Sequence, residues 1–389
     1  MSATNKDMRI GMISPYSLTI PGGVQNQILS LARALRNKGI DVRVLGPCDG
    51  PPPDTGITPL GNSLPTATNG SIAPLAPDPS AQLRLIRALR DERFDLLHVH
   101  EPLAPGPVIT AIVLKQSPIV ATFHRSGPSK SYEYFNKPAR WVANRVEVNC
   151  AVSEEAAVTA RNALGGDYEI LFNGIELDRY SLKVPKQAKR SIFFVGRHEP
   201  RKGLEVLIRS MRFLPDEVKL WIASDGPDTK RLQKATEDDI RIEWLGRISE
   251  EEKIERLQKC SLFCAPSLGG ESFGIVLLEA MASGALVVAS DIPGYSKLTR
   301  GGKDALLFKA GDSTALAKAL EKGLYEPGAS QTIVQSAMLR AKEFSMVELA
   351  ERYIQIYQKA IALTPTVPLA EGRQFFTQRA LNSKNFRMK

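Results

Sequence analysis

Two glutamates eight positions apart, Glu271 and Glu279, stand in the run GGESFGIVLLEAMASG over residues 269–284. The first closes a Gly-Gly loop, and the second lies among Ile275, Val276, Leu277, Leu278, Ala280 and Met281. A carboxylate buried without a partner costs several kcal/mol even after relaxation, so Glu279 needs something to hold. The pattern predicts a helix opening over Phe273, Gly274, Ile275 and Val276, whose first N–H groups lack partners within the helix and favour an anion such as phosphate. Glu279 falls about two turns past Glu271, where a carboxylate can accept hydrogen bonds from a diol such as a ribose. Glu271 would then meet a second hydroxyl-rich group beyond the phosphates, and the two acids together describe a nucleotide-sugar site. The alternative is that Glu271 meets only the helix dipole while Glu279 pairs with a nearby lysine.

A basic cluster points to the same ligand. In FFVGRHEPRKG, residues 193–203, a strand ends at Gly196, and Arg197, Arg201 and Lys202 follow. Arginine offers a planar fork for phosphate oxygens and lysine a point charge, which together suit a diphosphate. Arg197 and Lys202 are read as ligand contacts, and Arg201 as a solvated loop charge. Near the start, Pro21, Gly22 and Gly23 precede a helix in SPYSLTIPGGVQNQ; this is either a close backbone approach to phosphate or a plain tight turn. His124 ends PIVATFH, where a structural and a site role are both open. His98 and His100 of LLHVHEP are expected on opposite faces of their strand, so that no metal pair forms. The chain has no Asp-x-Asp, so a metal-bridged diphosphate is not expected and neither is a cofactor; Arg197, Lys202 and the helix dipole are to supply the positive charge.

The elements that must position these residues are legible as alternation. MRIGMIS, DVRVLGP, FDLLHVH, PIVATFH and VNCAVS are apolar strand-like runs separated by amphipathic helical runs such as NQILSLARALRNKG and QLRLIRALRDER. Nearly continuous apolar strands between helices predict an α/β fold with a parallel sheet covered on both faces. The pattern restarts at SIFFVGR and runs through VKLWIASDGP, IEWLGRI, SLFCAPS, ALVVAS and ALLFKA, a second doubly wound, Rossmann-like sheet. The expected division is an N-terminal acceptor-binding domain over 1–175, a linker over 176–190, a nucleotide-sugar domain over 191–345, a final helix over 346–362 and a basic tail over 363–389. Such sheets bind ligands at the carboxyl edges of their strands, here facing one central cleft.

At 389 residues, 43% apolar and 24% charged, the chain is ordinary for a two-domain globular protein. No apolar run is long enough for a bilayer span, and the start reads as a short polar leader, so a cytoplasmic protein is expected. Cys48, Cys150, Cys260 and Cys264 lack metal-ligand spacing and are read as reduced core residues. The net charge of +9 favours anionic partners. Basic residues are not interleaved with aromatic ones and no nucleic-acid-binding motif occurs, so a phosphorylated small molecule or an anionic membrane surface is favoured over nucleic acid.

The paired acids with seven residues between them, together with GRHEPRKG, SDGP and WLGRI, resemble the blocks of the retaining glycosyltransferases of family 4, which have the GT-B fold. MRIGMISPYSLTIPGGVQNQ, FDLLHVHEP, PIVATFH and GGESFGIVLLEAMASG resemble in particular the phosphatidylinositol α-mannosyltransferases of actinobacteria, and the likeness covers about residues 8–362. The resemblance implies metal-independent transfer of mannose from GDP-mannose to the inositol of phosphatidylinositol, peripherally at the inner face of the plasma membrane. It places Gly22, Gly23, Arg197, Lys202 and the Phe273–Val276 amides on the diphosphate, and Glu279 on the ribose. Glu271 falls on the donor sugar, and the backbone at Arg247 and Ile248 on the base. It puts His124 near the reacting centre, Tyr16, Gln25 and Lys130 on the acceptor side, and QLRLIRALRDER, with Arg84, Arg87, Arg90 and Arg93, toward the membrane, although Leu83, Leu85, Ile86 and Leu89 could equally cover the sheet. Two other readings stand beside it: transfer from a UDP-sugar to a soluble acceptor such as inositol phosphate, and a non-catalytic protein that binds a nucleotide sugar or anionic lipid.

Overall fold

The computed structural model describes residues 8–68, 71–125, 136–181, 190–271 and 273–364. The first half carries β1 (Arg9–Ile13), β2 (Asp41–Gly46), β3 (Ile57–Pro59), β4 (Leu64–Thr68), β5 (Ser71–Leu75), β6 (Leu96–His100), β7 (Ile119–Phe123), β8 (Val148–Ala151) and β9 (Glu169–Ile170). Seven of these form a sheet in the order β3-β2-β1-β6-β7-β8-β9 with parallel pairings, while β4 and β5 make a separate antiparallel hairpin in the Pro- and Gly-rich excursion. The second half carries β10 (Ser191–Val195), β11 (Lys219–Ala223), β12 (Ile242–Gly246), β13 (Leu262–Ala265), β14 (Leu286–Ser290) and β15 (Leu306–Phe308). These pair in parallel in the order β12-β11-β10-β13-β14-β15. Strand order reverses at β1/β6 and at β10/β13, the two crevices where open α/β sheets take ligands.

Five helices bear on the site: α1 (Gly23–Asn37), α2 (Pro79–Glu92), α3 (Glu250–Lys259), α4 (Ile275–Ala282) and α5 (Met346–Leu363). The start of α3 follows from its sequence: Ser249 caps it by accepting from the Glu252 amide at 3.1 Å, and Glu250, Glu251 and Glu252 fill the first turn, where negative charge is favoured. Helix α4 is apolar on all sides, so it is buried against β13, β14 and the helix Pro327–Lys342. Helix α5 lies on the first sheet beside α1, where Tyr353, Ile354 and Tyr357 join Ile28, Leu31 and Leu35 in one core. All four cysteines are buried and free.

The chain passes between the halves at two places that run side by side. Ile175 donates its amide to the Phe344 carbonyl and Met346 donates to the Ile175 carbonyl, both at 2.9 Å. Gln27 of α1 clasps the first passage, donating to the Gly174 carbonyl at 2.7 Å and accepting from its amide at 3.0 Å.

Helix α2 divides its apolar residues between two uses. Ala81, Leu85, Ala88 and Leu89 cover the sheet, but Leu83 is 66% exposed and Ile86 37%. Leu83, Ile86, Arg87 and Arg90 follow the i, i+3, i+4, i+7 spacing of one helical face, and all four are exposed. Arg84 is not part of that face: it donates to the Leu60 carbonyl at 3.2 Å and to Ser80 Oγ at 3.1 Å. No helix among the described residues is long and apolar enough to cross a membrane.

Candidate active site

The loop after β10 turns back on itself through Gly203, whose φ of +68° is left-handed. A Cβ there would collide with the Pro266 carbonyl, so only glycine lets the turn close on the end of β13. That closure brings Lys202 Nζ within 2.5 Å of Glu271 Oε1. Arg201 joins them, with Nη1 3.1 Å from Glu271 and Nε 2.6 Å from Glu199, while Arg197 Nε lies 3.7 Å from Glu199. Arg201, 46% exposed, is a solvated loop charge as expected, but one that also pairs with both carboxylates of the cluster. Three cations share two carboxylates, which leaves the group net positive at the carboxyl edge of the second sheet.

Gly274 opens α4 with a φ of +89°, and a Cβ at this position would stand 3.0 Å from the Tyr295 ring. Tyr295 in turn exchanges a hydrogen bond with Ser267 Oγ at 3.0 Å, so the start of α4, the strand end and the Glu271 loop are held together. The Phe273 ring packs on Phe172 and Phe344, with centroids 5.9 and 5.4 Å away. Its side chain thus belongs to the core near the interdomain passages, and only its backbone is available to a ligand. Ile275 approaches Gly23 from the second half: a Cβ on Gly23 would be 3.4 Å from the Ile275 methyl.

Glu279 is 4% exposed, and it is paired with Lys253. Lys253 Nζ lies 3.0 Å from Oε1 and 2.9 Å from Oε2, and the Tyr180 hydroxyl donates to Oε1 at 3.1 Å. Lys253 also reaches Glu250 Oε2 at 2.8 Å. Burial works against the ammonium, but the Glu279 and Glu250 carboxylates outweigh it and hold Lys253 above its ordinary range. Burial first, then the Glu279 charge, drives the Tyr180 hydroxyl far up. The sequence hint to Lys253 is its place four residues before buried Leu257, on the core-facing stripe of α3.

Residues of both halves line a cleft of about 440 Å³, with Ile20 and Pro21 on one side and Val195, Arg197, Asp225, Arg247, Ile248 and Lys253 on the other. Arg247 is exposed and donates to Asp225 at 2.9 Å. A second cavity of about 510 Å³ lies beside Glu279, but its arginines are already engaged, Arg33 with Asp54 and Glu176, and Arg179 with Glu176 and Glu251.

At the carboxyl edge of the first sheet stand Tyr16, Glu101 and His124. Ser224 after β11 and Glu101 after β6 take the left-handed backbone, with φ of 85° and 49°, which non-glycine residues hold only where the surroundings enforce it. The Glu101 carboxylate accepts from the His124 amide at 2.7 Å, and burial raises its pKa to about 7. Burial, then the charge of Glu101, pushes the Tyr16 hydroxyl up. Gln25 is buried and braces its own loop, donating to the carbonyls of Ile20 at 3.1 Å and Ser17 at 3.4 Å. Lys130 lies outside the described residues.

The expectation that His98 and His100 face opposite ways is wrong, because positions i and i+2 of a strand share a face. Their rings lie 4.2 Å apart, and His100 Nδ1 is 2.9 Å from His124 Nε2. His124 is therefore not a lone histidine; sequence reasoning considers His100 only as half of a metal pair, and Glu101, Glu199 and Lys253 are site-region residues that it does not single out.

The family profile described as "Glycosyltransferase Family 4" matches residues 21–179, and that described as "Glycosyl transferases group 1" matches residues 189–325. The phosphatidyl-myo-inositol mannosyltransferase of Mycobacterium leprae is 36% identical over 365 residues, 90% of this chain and 96% of that protein. The phosphatidyl-myo-inositol mannosyltransferase of Propionibacterium freudenreichii is 33% identical over 341 residues, covering 82% of this chain and 87% of its own length. Among solved structures, Anabaena Alr3699/HepE in complex with UDP and glucose matches with a TM-score of 0.72 at 19% identity, over 90% of this chain and 99% of that one. Sucrose-phosphate synthase from Thermosynechococcus elongatus matches at 0.72 and 20% identity, over 92% and 100%. These superpositions establish a shared two-domain fold, the GT-B arrangement of facing Rossmann-like halves.

Proposed function

The chain belongs to glycosyltransferase family 4, and we propose that it moves mannose from GDP-mannose to the inositol of phosphatidylinositol, with retention at the anomeric carbon and without a metal ion. The observation that carries the reading is the near full-length likeness to phosphatidyl-myo-inositol mannosyltransferases, in a chain whose second half pairs Lys202 with Glu271 and Lys253 with Glu279 and sets Arg197 and Lys253 in the lining of the cleft between the halves.

In this reading the diphosphate draws Arg197 and Lys202 away from Glu199 and Glu271, with the amides of Gly23 and Phe273–Val276 adding donors and Gly22 shaping the turn. Glu271, released from Lys202, accepts from hydroxyls of the donor sugar. Glu279 keeps Lys253 and has acceptor sites left for the ribose, since an ionised carboxylate offers about four. The backbone at Arg247 and Ile248 meets the base. A guanine edge presents an imino and an amino donor, which suits a cleft lined by Asp225 and Glu250. His124 faces the sugar, with Tyr16, Gln25 and Lys130 on the acceptor side. As the bond to the leaving diphosphate breaks, negative charge grows on oxygens already fixed beside cations and helix-start amides, where preorganised electrostatics act most strongly. The exposed strip of Leu83, Ile86, Arg87 and Arg90 fits peripheral contact with an anionic bilayer.

The test is transfer of labelled mannose from GDP-mannose by the purified chain in the presence of phosphatidylinositol vesicles, with UDP-sugars and soluble inositol phosphate in parallel. Label is expected in the lipid fraction. Transfer confined to a soluble acceptor, or only from a UDP-sugar, overturns the proposal.

A further inference from the structure

The three histidines at the edge of the first sheet form a connected buried group that the proposed reaction does not explain. His98 has both nitrogens bonded, Nδ1 to the Tyr357 hydroxyl at 2.9 Å and Nε2 to Thr122 Oγ1 at 2.8 Å; the Tyr353 hydroxyl meets the same Thr122 oxygen at 3.0 Å. Its ring lies against His100. His100, 2% exposed, uses Nδ1 to meet His124 Nε2, while its Nε2 is buried without a hydrogen-bond partner among the described residues. His124 is 8% exposed, and its Nδ1 has no hydrogen-bond partner among the described residues.

One proton lies between the two rings, and the unpartnered nitrogen of His100 decides on which side. Were His124 the donor, His100 would carry its own proton on Nε2 and bury an N–H with nothing to receive it, an arrangement folded proteins almost never keep. With His100 donating from Nδ1, its Nε2 is a bare lone pair, the less costly group to leave unmet. His124 then accepts at Nε2 and carries its proton on Nδ1.

We propose that His100 is a positioning residue that holds His124 as a neutral ring with its proton on Nδ1, so that His124 offers the cleft a hydrogen-bond donor and not a base. A neutral donor suits an oxygen that gains negative charge or needs orienting, and leaves proton removal from the acceptor to another group, such as the departing diphosphate. The titratable neighbours fit a neutral pair. The His98 ring lies 4.2 Å from that of His100, tilted by 37°, where a second cation would be repelled, and Glu101 spends one carboxylate oxygen on the His124 amide while facing Arg125. Burial lowers the pKa of His124 to about 3 and keeps His100 well below its ordinary value.

The tautomer can be read without any activity. The chain has four histidines, so ring-nitrogen shifts from a long-range proton–nitrogen correlation spectrum of the labelled full chain are assignable by single substitutions. His100 and His124 are both expected as Nδ1–H, and an Nε2–H signal from His124 in the unsubstituted protein overturns the proposal. The role rests on the mannosyltransferase reading and is tested separately. In His100→Asn the amide nitrogen takes the place of Nδ1 and still donates, so kcat should stay within about threefold. In His100→Asp only an acceptor remains, His124 flips its proton to Nε2, and kcat should fall about 10²-fold with KM for GDP-mannose nearly unchanged. Equal losses in the two variants, or a loss confined to KM, would mean that His100 merely fills space. Should the chain turn out not to use GDP-mannose, the spectrum still decides the tautomer.

Discussion

The trio Glu279, Lys253 and Glu250, two of them buried, gives an asymmetric prediction. One ammonium serves two carboxylates, at 2.8 Å to Glu250 and 2.9 Å to Glu279, with the side chains of Lys253 and Glu279 only 9% and 6% exposed and that of Glu250 34%. Lys253→Met strands both acids. Glu250 can turn to water, but Glu279 keeps only the Tyr180 hydroxyl, so the cost should be about 3–5 kcal/mol, as for other broken buried pairs. Glu279→Gln leaves Lys253 its Glu250 partner and still offers an amide oxygen, so about 1–2 kcal/mol is expected. The double variant no longer buries an unpaired acid at 279 and should fall short of the sum by about 1–3 kcal/mol. Urea unfolding at pH 7.5 without ligand, with unchanged m, measures all three. GDP titration of the same proteins separates structure from function: Glu279→Gln should weaken binding about tenfold if its carboxylate holds the ribose. If Lys253→Met proves no more destabilising than Glu279→Gln, the pairing argument fails; if GDP binds Glu279→Gln undiminished, the ribose assignment does.

Glu271→Gln should lower turnover by about 10²-fold yet leave GDP affinity equal or higher, because Lys202 loses a competitor; weaker GDP binding would place Glu271 in support of the diphosphate instead of the sugar. Leu83→Ser with Ile86→Ser should leave the urea midpoint unchanged, since both side chains are exposed, while cosedimentation with anionic vesicles falls several-fold; unchanged sedimentation removes that face from membrane contact. Stability should fall on acidification. His98 and His124, lowered to about 3, and His100 stay neutral when folded, whereas the unfolded chain protonates all three as pH drops through 6.5. Glu101, raised to about 7 from 4.5, works the other way, taking up a proton in the folded state between those values, and cancels one of the three. Between about pH 4.5 and 6 the net two protons correspond to at most about 2–3 kcal/mol per pH unit, and a urea midpoint that rises from pH 6.5 to 4.5 would contradict the buried neutral rings.

Where the chain was readable, it was because pattern and packing agree over many residues. Strands such as IVATF and LVVAS are almost wholly apolar because both faces are covered, and they lie inside their parallel sheets as strands flanked on both sides. The helix over PVITAIVL, by contrast, is short and apolar throughout, so periodicity cannot tell it from a strand. The helix Pro327–Lys342 follows the preceding one after a single residue, Glu326, and its small residues pack on α4 without a strong stripe of their own. Around the site, clusters close in sequence were legible: Arg197, Arg201 and Lys202 announce themselves within one loop. Partners that arrive from other elements were not, since nothing near Glu279 points to Lys253 of α3 or Tyr180, and nothing near His124 points to His100 on the neighbouring strand.

The two readings of the paired glutamates are compatible with each other. A ligand acid and an ion-paired acid look like rival readings of one residue, but carboxylates and cations beside low-dielectric walls need partners of opposite charge whether or not they also hold a ligand. The pairs of Glu271 with Lys202 and Arg201, and of Glu279 with Lys253, are therefore compatible with the proposed diphosphate-sugar site. The two pairs differ in what the proposed ligand does to them. Lys202 is 21% exposed, so in the proposed complex phosphate draws it off and frees Glu271 for the sugar. Lys253 is sealed between α3 and α4 and stays, so Glu279 meets the ribose as a fixed carboxylate whose geometry does not change on binding. The rim acid thus responds to the charge of the ligand and the buried acid only to its shape, so mannose contacts at Glu271 should depend on an intact diphosphate while ribose contacts at Glu279 should not.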